Sequence, residues 1–396
     1  MELLAPAGNM EKLRYAVWYG ADAVYCAYRS FGLRAAGENF DFEELREAVA
    51  FCHAHGVKLY VTVNIYPTQK DLAELPAFFT TLAEIKPDAM IIADLGVMAL
   101  AKRYAPQIPI HVSTQANVTN AETALVLREL GATRIVLARE MPLEDIAALR
   151  SSLPADVELE AFAHGAMCVA YSGRCLLSAA MTARSGNLGA CAQPCRWNYA
   201  LMEEKRPGEY FPIEEDDRGT YVFNSKDLCL IEHLKELEQA GVASLKIEGR
   251  MKSFYYAACV TQAYRRALND LQAGKPYDPS LMEELRAVSH RDYCTGFLFG
   301  APGAAAQNPD NGGYLRYTDV VAVAAEEPGW VIQKNKFIRG ETLWVLAPDR
   351  APYSVTVETM EDETGAPIDA APHAEMRVFL GLEFAPHSII RRERRS

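Results

Sequence analysis

The 396-residue chain contains no run of about 18 apolar residues, the length a membrane-spanning helix requires. Its opening, MELLAPAG, holds no basic segment followed by an apolar stretch and a small-residue cleavage site, so no secretory signal is expected. Both absences predict a soluble, cytoplasmic protein. Positive charge is scarce too, with 40 Lys and Arg against 52 Asp and Glu and a net charge of −12. That balance excludes a uniformly basic nucleic-acid coat but leaves room for a local basic stripe. There is no H-E-x-x-H, no G-x-S-x-G and no evident Ser/His/Asp arrangement, so the usual hydrolytic signatures are missing. Internal repeats and low-complexity tracts are absent as well. Nine cysteines, an odd number, argue for thiols or metal ligands over a disulfide framework. What is present is apolar material: 50% of residues are hydrophobic, enough for a large core and against disorder. At roughly 150 residues per domain, the length predicts two or three domains.

The first 165 residues alternate short apolar runs with longer amphipathic stretches, and one more helix and run follow over 227–250. The runs are ELLAPAG (2–8), AVYCAY (23–28), KLYVTVN (58–64), AMIIADLG (89–96), IHVSTQAN (110–117), RIVLARE (134–140), ELEAFAHG (158–165) and SLKIEGR (244–250). Between them, FEELREAVAFCHAHG (42–56), NAETALVLRELG (120–131) and DLCLIEHLKELEQAG (227–241) carry the three- and four-residue spacing of helices. Asn120 suits a helix cap and Gly131 a helix stop. Eight strand-then-helix units predict an α/β fold, a (β/α)8 barrel-like catalytic domain over residues 1–300. An open doubly wound sheet is the runner-up. Polar residues sit at the strand ends: Asn64, Asp94, Gln115, Asn117, Arg139, Glu140, His164, Glu248 and Arg250. Active sites of barrels collect there, so together these predict one mouth, although each taken singly could cap the next helix. Residues 166–226 break the rhythm as an insertion, Cys-rich and then acidic. Helices around 254–270 and 279–289 follow, then a linker over 301–314. Short alternating runs from 315 to 396 predict a small all-β barrel with a basic tail.

Four cysteines crowd the insertion as C-x6-C-x15-C-x3-C: Cys168, Cys175, Cys191 and Cys195, with Cys229 further on. Glycines and Pro194 around them let the backbone turn several thiolates toward one centre. Arg174, Arg184 and Arg196 lie among them without any acid between Cys168 and Tyr199, a setting that suits thiolates. Structural zinc favours two close cysteine pairs, and only Cys191/Cys195 fits. An iron–sulfur cluster accepts the looser spacing. Zinc and ordinary core thiols remain the alternatives. Asn198 stands where a radical-SAM loop would need its third cysteine. Cys26, Cys52, Cys259 and Cys294 sit in apolar contexts and read as buried residues.

ELEAFAHGAMCVAYSGRCLLS, GACAQPCRW, FNSKDLC and SLKIEGRMKS resemble the collagenase-like peptidase family, most closely its branch of prephenate-dependent tRNA uridine hydroxylases. The resemblance runs from MELLAPAGN to SLKIEGRMKSFYY, and the β-rich tail is similar to that branch's C-terminal domain. It implies a barrel carrying a 4Fe–4S cluster and 5-hydroxylation of the wobble uridine of tRNA, supported by prephenate. The ligands it implies are Cys168, Cys175, Cys191 and Cys229. Spacing alone would favour Cys195 over Cys229, so Cys195 is the reserve. Peptidase activity is the rival reading: a cysteine protease needs one activated thiolate with a partner His, and Cys168 lies four residues after His164. A non-catalytic iron–sulfur scaffold is a third.

Prephenate is a dicarboxylate and calls for arginine forks, for which Arg139 and Arg250 are the candidates. Asn64 and Gln115 are further candidate substrate contacts. Glu248 is expected to position a water or the uracil edge, and His164 to transfer protons near neutral pH. For tRNA, the segment 246–266 has a net charge of +4, carried by Lys246, Arg250, Lys252, Arg265 and Arg266 against Glu248. Lys334, Lys336 and Arg339 form a second patch, and Arg391, Arg392, Arg394 and Arg395 a third. Patches of this kind could follow a phosphate backbone. Tyr171, Trp197, Tyr255 and Tyr256 are candidates to stack an anticodon base. Neither DNA nor a membrane is an expected partner.

Overall fold

The computed structural model describes residues 1–32, 38–167, 177–182, 184, 191–194, 200–201, 211–212, 225–301, 314–348 and 350–394. Strands β1 (Glu2–Pro6), β2 (Ala23–Ala27), β3 (Lys58–Val63), β4 (Ala89–Ile92), β5 (Ile110–Val112), β6 (Ala132–Val136) and β7 (Glu158–Ala166) are parallel neighbours in chain order. Helices α1 (Met10–Trp18), α2 (Phe42–Ala54), α3 (Gln69–Ile85), α4 (Leu95–Tyr104), α5 (Ala121–Glu129) and α6 (Leu143–Ser152) join them. After α7 (Leu177–Thr182) come the short pair β8 (Ala200–Leu201) and β9 (Phe211–Pro212), then β10 (Asp227–Cys229), α8 (Leu234–Gln239) and β11 (Ser244–Ile247). β11 pairs in parallel with both β1 and β7, which closes an eight-stranded barrel. The predicted barrel is therefore the fold, and the open sheet is excluded.

Local chemistry sets the element ends. Asn9 accepts the Lys12 N–H at 2.9 Å, and Asp41 with Glu44 forms a reciprocal capping box. Asn120 caps α5 through the Thr123 N–H, and Gly131 follows that helix at φ +101°, both as expected. Asp94 is spent as the cap of α4. One segment differs from the reading. Residues 227–229 of the expected 227–241 helix are strand β10, which runs antiparallel to the overhanging end of β7. β7 is nine residues long, and its surplus N–H and C=O groups at the rim need a partner that β11 does not reach.

The interior of the barrel is charged at its N-terminal end. Arg134 reaches Glu2 at 2.5 Å, Glu158 at 2.6 Å and Glu160 at 3.1 Å. Lys246 pairs with Glu160 at 2.8 Å, while Tyr60 and Ser244 donate to Glu2 at 2.7 and 2.9 Å. Above this layer, Leu4, Tyr25, Tyr60, Ala89 and Ile91 form a small apolar cluster. The main core lies outside the strands, under the helices.

Helix α9 (Phe254–Gln272) is buried along most of its length and is followed by α10 (Ser280–Ala287) and β12 (Tyr293–Cys294), which extends β10. Strands β13 (Thr318–Ala324), β14 (Trp330–Gln333), β15 (Phe337–Ile338), β16 (Thr342–Leu346), β17 (Tyr353–Thr356), β18 (Ala370–Ala371), β19 (Arg377–Phe379) and β20 (Ile389–Glu393) complete the chain. Six of them form an antiparallel half-barrel in the order β17-β16-β20-β13-β14-β19, around Val321, Phe337, Val345 and Val378. This unit is bolted to the barrel. Arg391 donates to Tyr255 at 2.8 Å and pairs with Glu284 at 2.6 Å, and the Tyr255 hydroxyl lies 2.9 Å from Thr318 Oγ1. Trp18 stacks on His387 with ring centroids 3.4 Å apart.

Candidate active site at the barrel mouth

The strand-end residues converge at the C-terminal rim. Asn64, after β3, donates to Gln115 Oε1 at 3.2 Å and lies 3.4 Å from Ser113 Oγ. Asn117 takes a left-handed backbone at φ +53° and donates to the Gln115 carbonyl at 2.9 Å, and the Tyr66 hydroxyl donates there too. Arg250, only 6% exposed, reaches Thr62 Oγ1 at 3.5 Å. Arg139 donates to the Ala166 carbonyl at 2.6 Å, lies over the Phe162 ring at 3.8 Å and stands 3.9 Å from Glu248 Oε2. Its Nε is buried with no hydrogen bond among the described residues.

Glu248 is held from several sides. Its N–H donates to the His164 carbonyl at 2.9 Å, its carbonyl accepts from the Tyr256 hydroxyl at 2.9 Å, and Tyr25 lies 3.3 Å from its carboxylate. Gly165 makes this approach possible. A Cβ there would stand 2.4 Å from the Glu248 carbonyl oxygen, and φ is +104°. Gly8, in the opening ELLAPAG, packs equally close to the Arg250 carbonyl.

His164 is 1% exposed, with Nδ1 at 3.5 Å from the Tyr264 hydroxyl and Nε2 without a hydrogen bond among the described residues. Burial, with help from His290 and Lys252, pushes its pKa down to about 3. The reading of His164 as a proton carrier near neutrality is thus corrected: among the described residues no group offsets the desolvation of its cation, which favours the neutral ring. Cys229 lies opposite His164 in the β7–β10 ladder, 3.9 Å from the Tyr264 hydroxyl. It accepts the Ile231 N–H, and burial pushes its thiol up to about 12. Cys191 is half-buried and accepts the Gln193 N–H at 3.4 Å. Cys168, Cys175 and Cys195 lie outside the described residues, as do Tyr171 and Trp197. Among the described residues there is no group of three or more metal-binding side chains. Cys26, Cys52 and Cys259 are buried as expected, whereas Cys294 is half-exposed in a cavity it shares with Cys229.

Several basic and aromatic candidates are structural instead. Arg265 braces α1, donating to the Gly20 carbonyl at 2.8 Å and pairing with Asp22. Lys246 belongs to the interior ion network and Arg391 to the domain junction. Tyr255 and Tyr256 are buried, so neither offers a ring face to a base. Arg266 pairs with Asp278 at 3.4 Å, Lys334 with Glu375 at 2.7 Å and Arg339 with Asp369 at 2.7 Å. Lys336 is exposed, beside Arg392 and Arg394 in a shallow surface pocket. Lys252 lies 3.8 Å from the Tyr314 ring and donates to the Ser289 carbonyl. The sequence reading missed Thr62, Ser113 and Tyr25 as mouth residues. The signal was there for Thr62, which precedes Asn64 by two residues, the strand period that places both on the same interior face; Ser113 and Gln115 lie beyond β5 in a short 3-10 turn, where that period does not apply.

Among the described residues, no helix is long and apolar enough to cross a membrane. The chain matches Peptidase family U32 over residues 8–308 and the Peptidase family U32 C-terminal domain over residues 318–391. It is 39% identical to "tRNA hydroxylation protein P" of Escherichia coli, over 96% of this chain and 93% of that one. It is 38% identical to "tRNA hydroxylation protein P1" of Bacillus subtilis, over 94% and 89%. It is also 31% identical to "Collagenase" of Porphyromonas gingivalis, over 88% and 86%. With both parts matched in order and full-length relatives on either side of the hydrolase–hydroxylase divide, the chain belongs to peptidase family U32.

Proposed function

We propose that this protein is a cytoplasmic tRNA-modifying enzyme that hydroxylates C5 of the wobble uridine, with prephenate as co-substrate and a 4Fe–4S cluster as cofactor. The observation that carries the reading is near-full-length similarity to proteins named for tRNA hydroxylation, joined to a mouth built for an anion. Arg139 and Arg250 are the cations for the two carboxylates of prephenate. Arg139 has a buried donor with no hydrogen bond among the described residues, and a ligand oxygen would satisfy it. Asn64 and Gln115, locked to each other, present amides that fix the ligand's orientation. Glu248, backed by Tyr25 and Tyr256, is aimed to accept from the uracil edge. His164 serves as a neutral, shape-filling ring beside Cys229.

Cys168, Cys175, Cys191 and Cys229 are the ligands assigned to the cluster, with Cys195 in reserve. The two described ones fit: each accepts an N–H from the residue two positions on, the kind of bond that tunes a cluster's sulfurs. When bound, the cluster would supply one-electron redox chemistry, which side chains alone do not perform. Lys252, Lys336 and Arg339 are the cations assigned to the tRNA backbone. The last makes an exposed ion pair that a phosphate could displace at little cost. The peptidase reading needs His164 to activate Cys168, which lies outside the described residues; the described Cys229 is buried with its thiol pushed up, the opposite of an activated nucleophile. Nucleoside mass spectrometry of tRNA from cells lacking the protein tests the proposal. Loss of hydroxylated wobble uridine is expected, and an unchanged profile refutes it. Anaerobically purified protein should absorb in the visible, and Cys191→Ala should abolish that absorption.

A further inference from the structure

The rim holds a third cation that the sequence reading passed over. Lys12 is in the first turn of α1, and its side chain runs back toward the end of β1, the direction helical side chains favour. A Cβ placed on Gly8 would stand 3.4 Å from Lys12 Nζ and 2.4 Å from the Arg250 carbonyl oxygen. The ammonium therefore lies beside the loop that bears Glu248 and Arg250. Gly8 is not a positive-φ position, so it serves here by leaving room between strand end, loop and ammonium. The Lys12 side chain is 15% exposed, and its three donors share one ionic partner among the described residues, Glu38 at 3.5 Å. That partner is loosely committed. Glu38 comes from the loop between β2 and α2, is 67% exposed, and also accepts from Asn9 Nδ2. An exposed pair of that length contributes little and exchanges readily. Lys12 is thus held at the rim by the fold, while Glu38 can swing into solvent.

Two anionic substrates meet at this mouth in the function proposed above. Prephenate has two carboxylates, and Arg139 and Arg250 supply a planar fork for each. The other anion is RNA. When an unpaired base enters the mouth, the phosphates on either side of it stay at the rim. A lysine suits a phosphodiester there, because it acts as a point charge and needs no fixed plane. Glu248, the carboxylate of the neighbouring loop, faces Arg139 at 3.9 Å and Tyr25 at 3.3 Å. The acid that competes for Lys12 is Glu38, and it is the one that can leave.

We propose that Lys12 holds a phosphate flanking the target uridine, with Glu38 as the group that this phosphate displaces. The inference rests on the RNA-modifying function proposed above and adds to it a backbone contact on the β1 side of the mouth. The test uses the full chain and anticodon stem–loop RNAs in which one loop phosphate at a time is replaced by a neutral methylphosphonate. Lys12→Ala should weaken binding of the all-phosphate stem–loop about fivefold at low salt, with a salt slope shallower by about 0.7, the value for one single-strand phosphate. Lys12→Arg should keep both near wild type. Glu38→Gln should act in the opposite sense and tighten binding about twofold, because the competing charge is gone. One methylphosphonate beside the wobble position should weaken the wild type and leave Lys12→Ala unaffected. The KM for tRNA should rise in Lys12→Ala while that for prephenate holds. Were the pair only a clip between α1 and the β2–α2 loop, Lys12→Ala and Glu38→Gln would both lower the melting temperature and leave RNA affinity unchanged. That result, or a Lys12→Ala loss that adds to the loss at every methylphosphonate, would overturn the phosphate contact while leaving the hydroxylase reading intact. A wild-type chain that binds no stem–loop at all would overturn both.

Discussion

Arg134 and Arg139 sit at the two ends of the same strand-and-loop segment, and both guanidiniums are shut from water, with side chains 4% and 7% exposed. At the N-terminal end, Arg134 meets three carboxylates, and each of those is tied to a further partner or to solvent. At the mouth, Arg139 has among the described residues one short hydrogen bond, an aromatic face and a carboxylate at the edge of contact, with Nε left over. Identical chemistry thus serves two ends. A buried cation whose donors are used holds the barrel together, whereas one with a donor in hand is prepared for a ligand. This is the division of labour common to barrels, stability at the N-terminal face and chemistry at the C-terminal one.

The comparison can be broken most directly at Arg134. Arg134→Met leaves buried Glu160 with Lys246 alone and Glu2 with only the exposed Lys58, so unfolding free energy should drop by about 3–5 kcal/mol in a denaturant titration. If the loss were under 1 kcal/mol, the N-terminal network would not be the structural element described. Arg139→Gln should do the reverse. Its stability cost should stay near about 1 kcal/mol, while prephenate affinity falls at least about tenfold, the loss of a charged hydrogen bond. Unchanged prephenate dependence of hydroxylation would remove Arg139 from the site.

Acid should sharpen the contrast further. Burial alone would raise the Glu2 pKa, but the hydrogen bond and charge of Arg134 outweigh it and hold Glu2 below its ordinary 4.5. A folded-state pKa below the unfolded one contributes stability that is complete above pH 4.5 and is lost as pH falls through the folded value. Glu2→Gln should therefore flatten the loss of stability below pH 4.5, and an identical acid limb would contradict the network. The smallest effect is expected at Lys336. Lys336→Ala should leave stability unchanged and weaken tRNA binding a few-fold at low salt, with a salt slope shallower by about one.

The barrel was legible because each strand had to be apolar and each following helix amphipathic. Runs such as KLYVTVN and SLKIEGR carry that pattern in a few residues. The mouth was half legible. Asn64, Gln115, Arg139, Glu248 and Arg250 are at strand ends, but Thr62 and Ser113 inside the runs looked like ordinary strand residues. The 227–241 segment misled because its apolar spacing also suits a helix, and the rim's need for a partner strand is not a local property.

By itself, the sequence determined the alternation of strands and helices, and its cysteine and rim motifs established the family. Only the tertiary structure decided which charges were committed. Lys246, Arg265 and Arg391 read as an open basic surface, yet closure of the barrel and docking of the half-barrel bring each to a carboxylate far away in the chain. Residue type fixes whether a side chain is charged. Coulomb energy and desolvation depend on what lies within a few ångströms, and that distance exists only once the chain has folded.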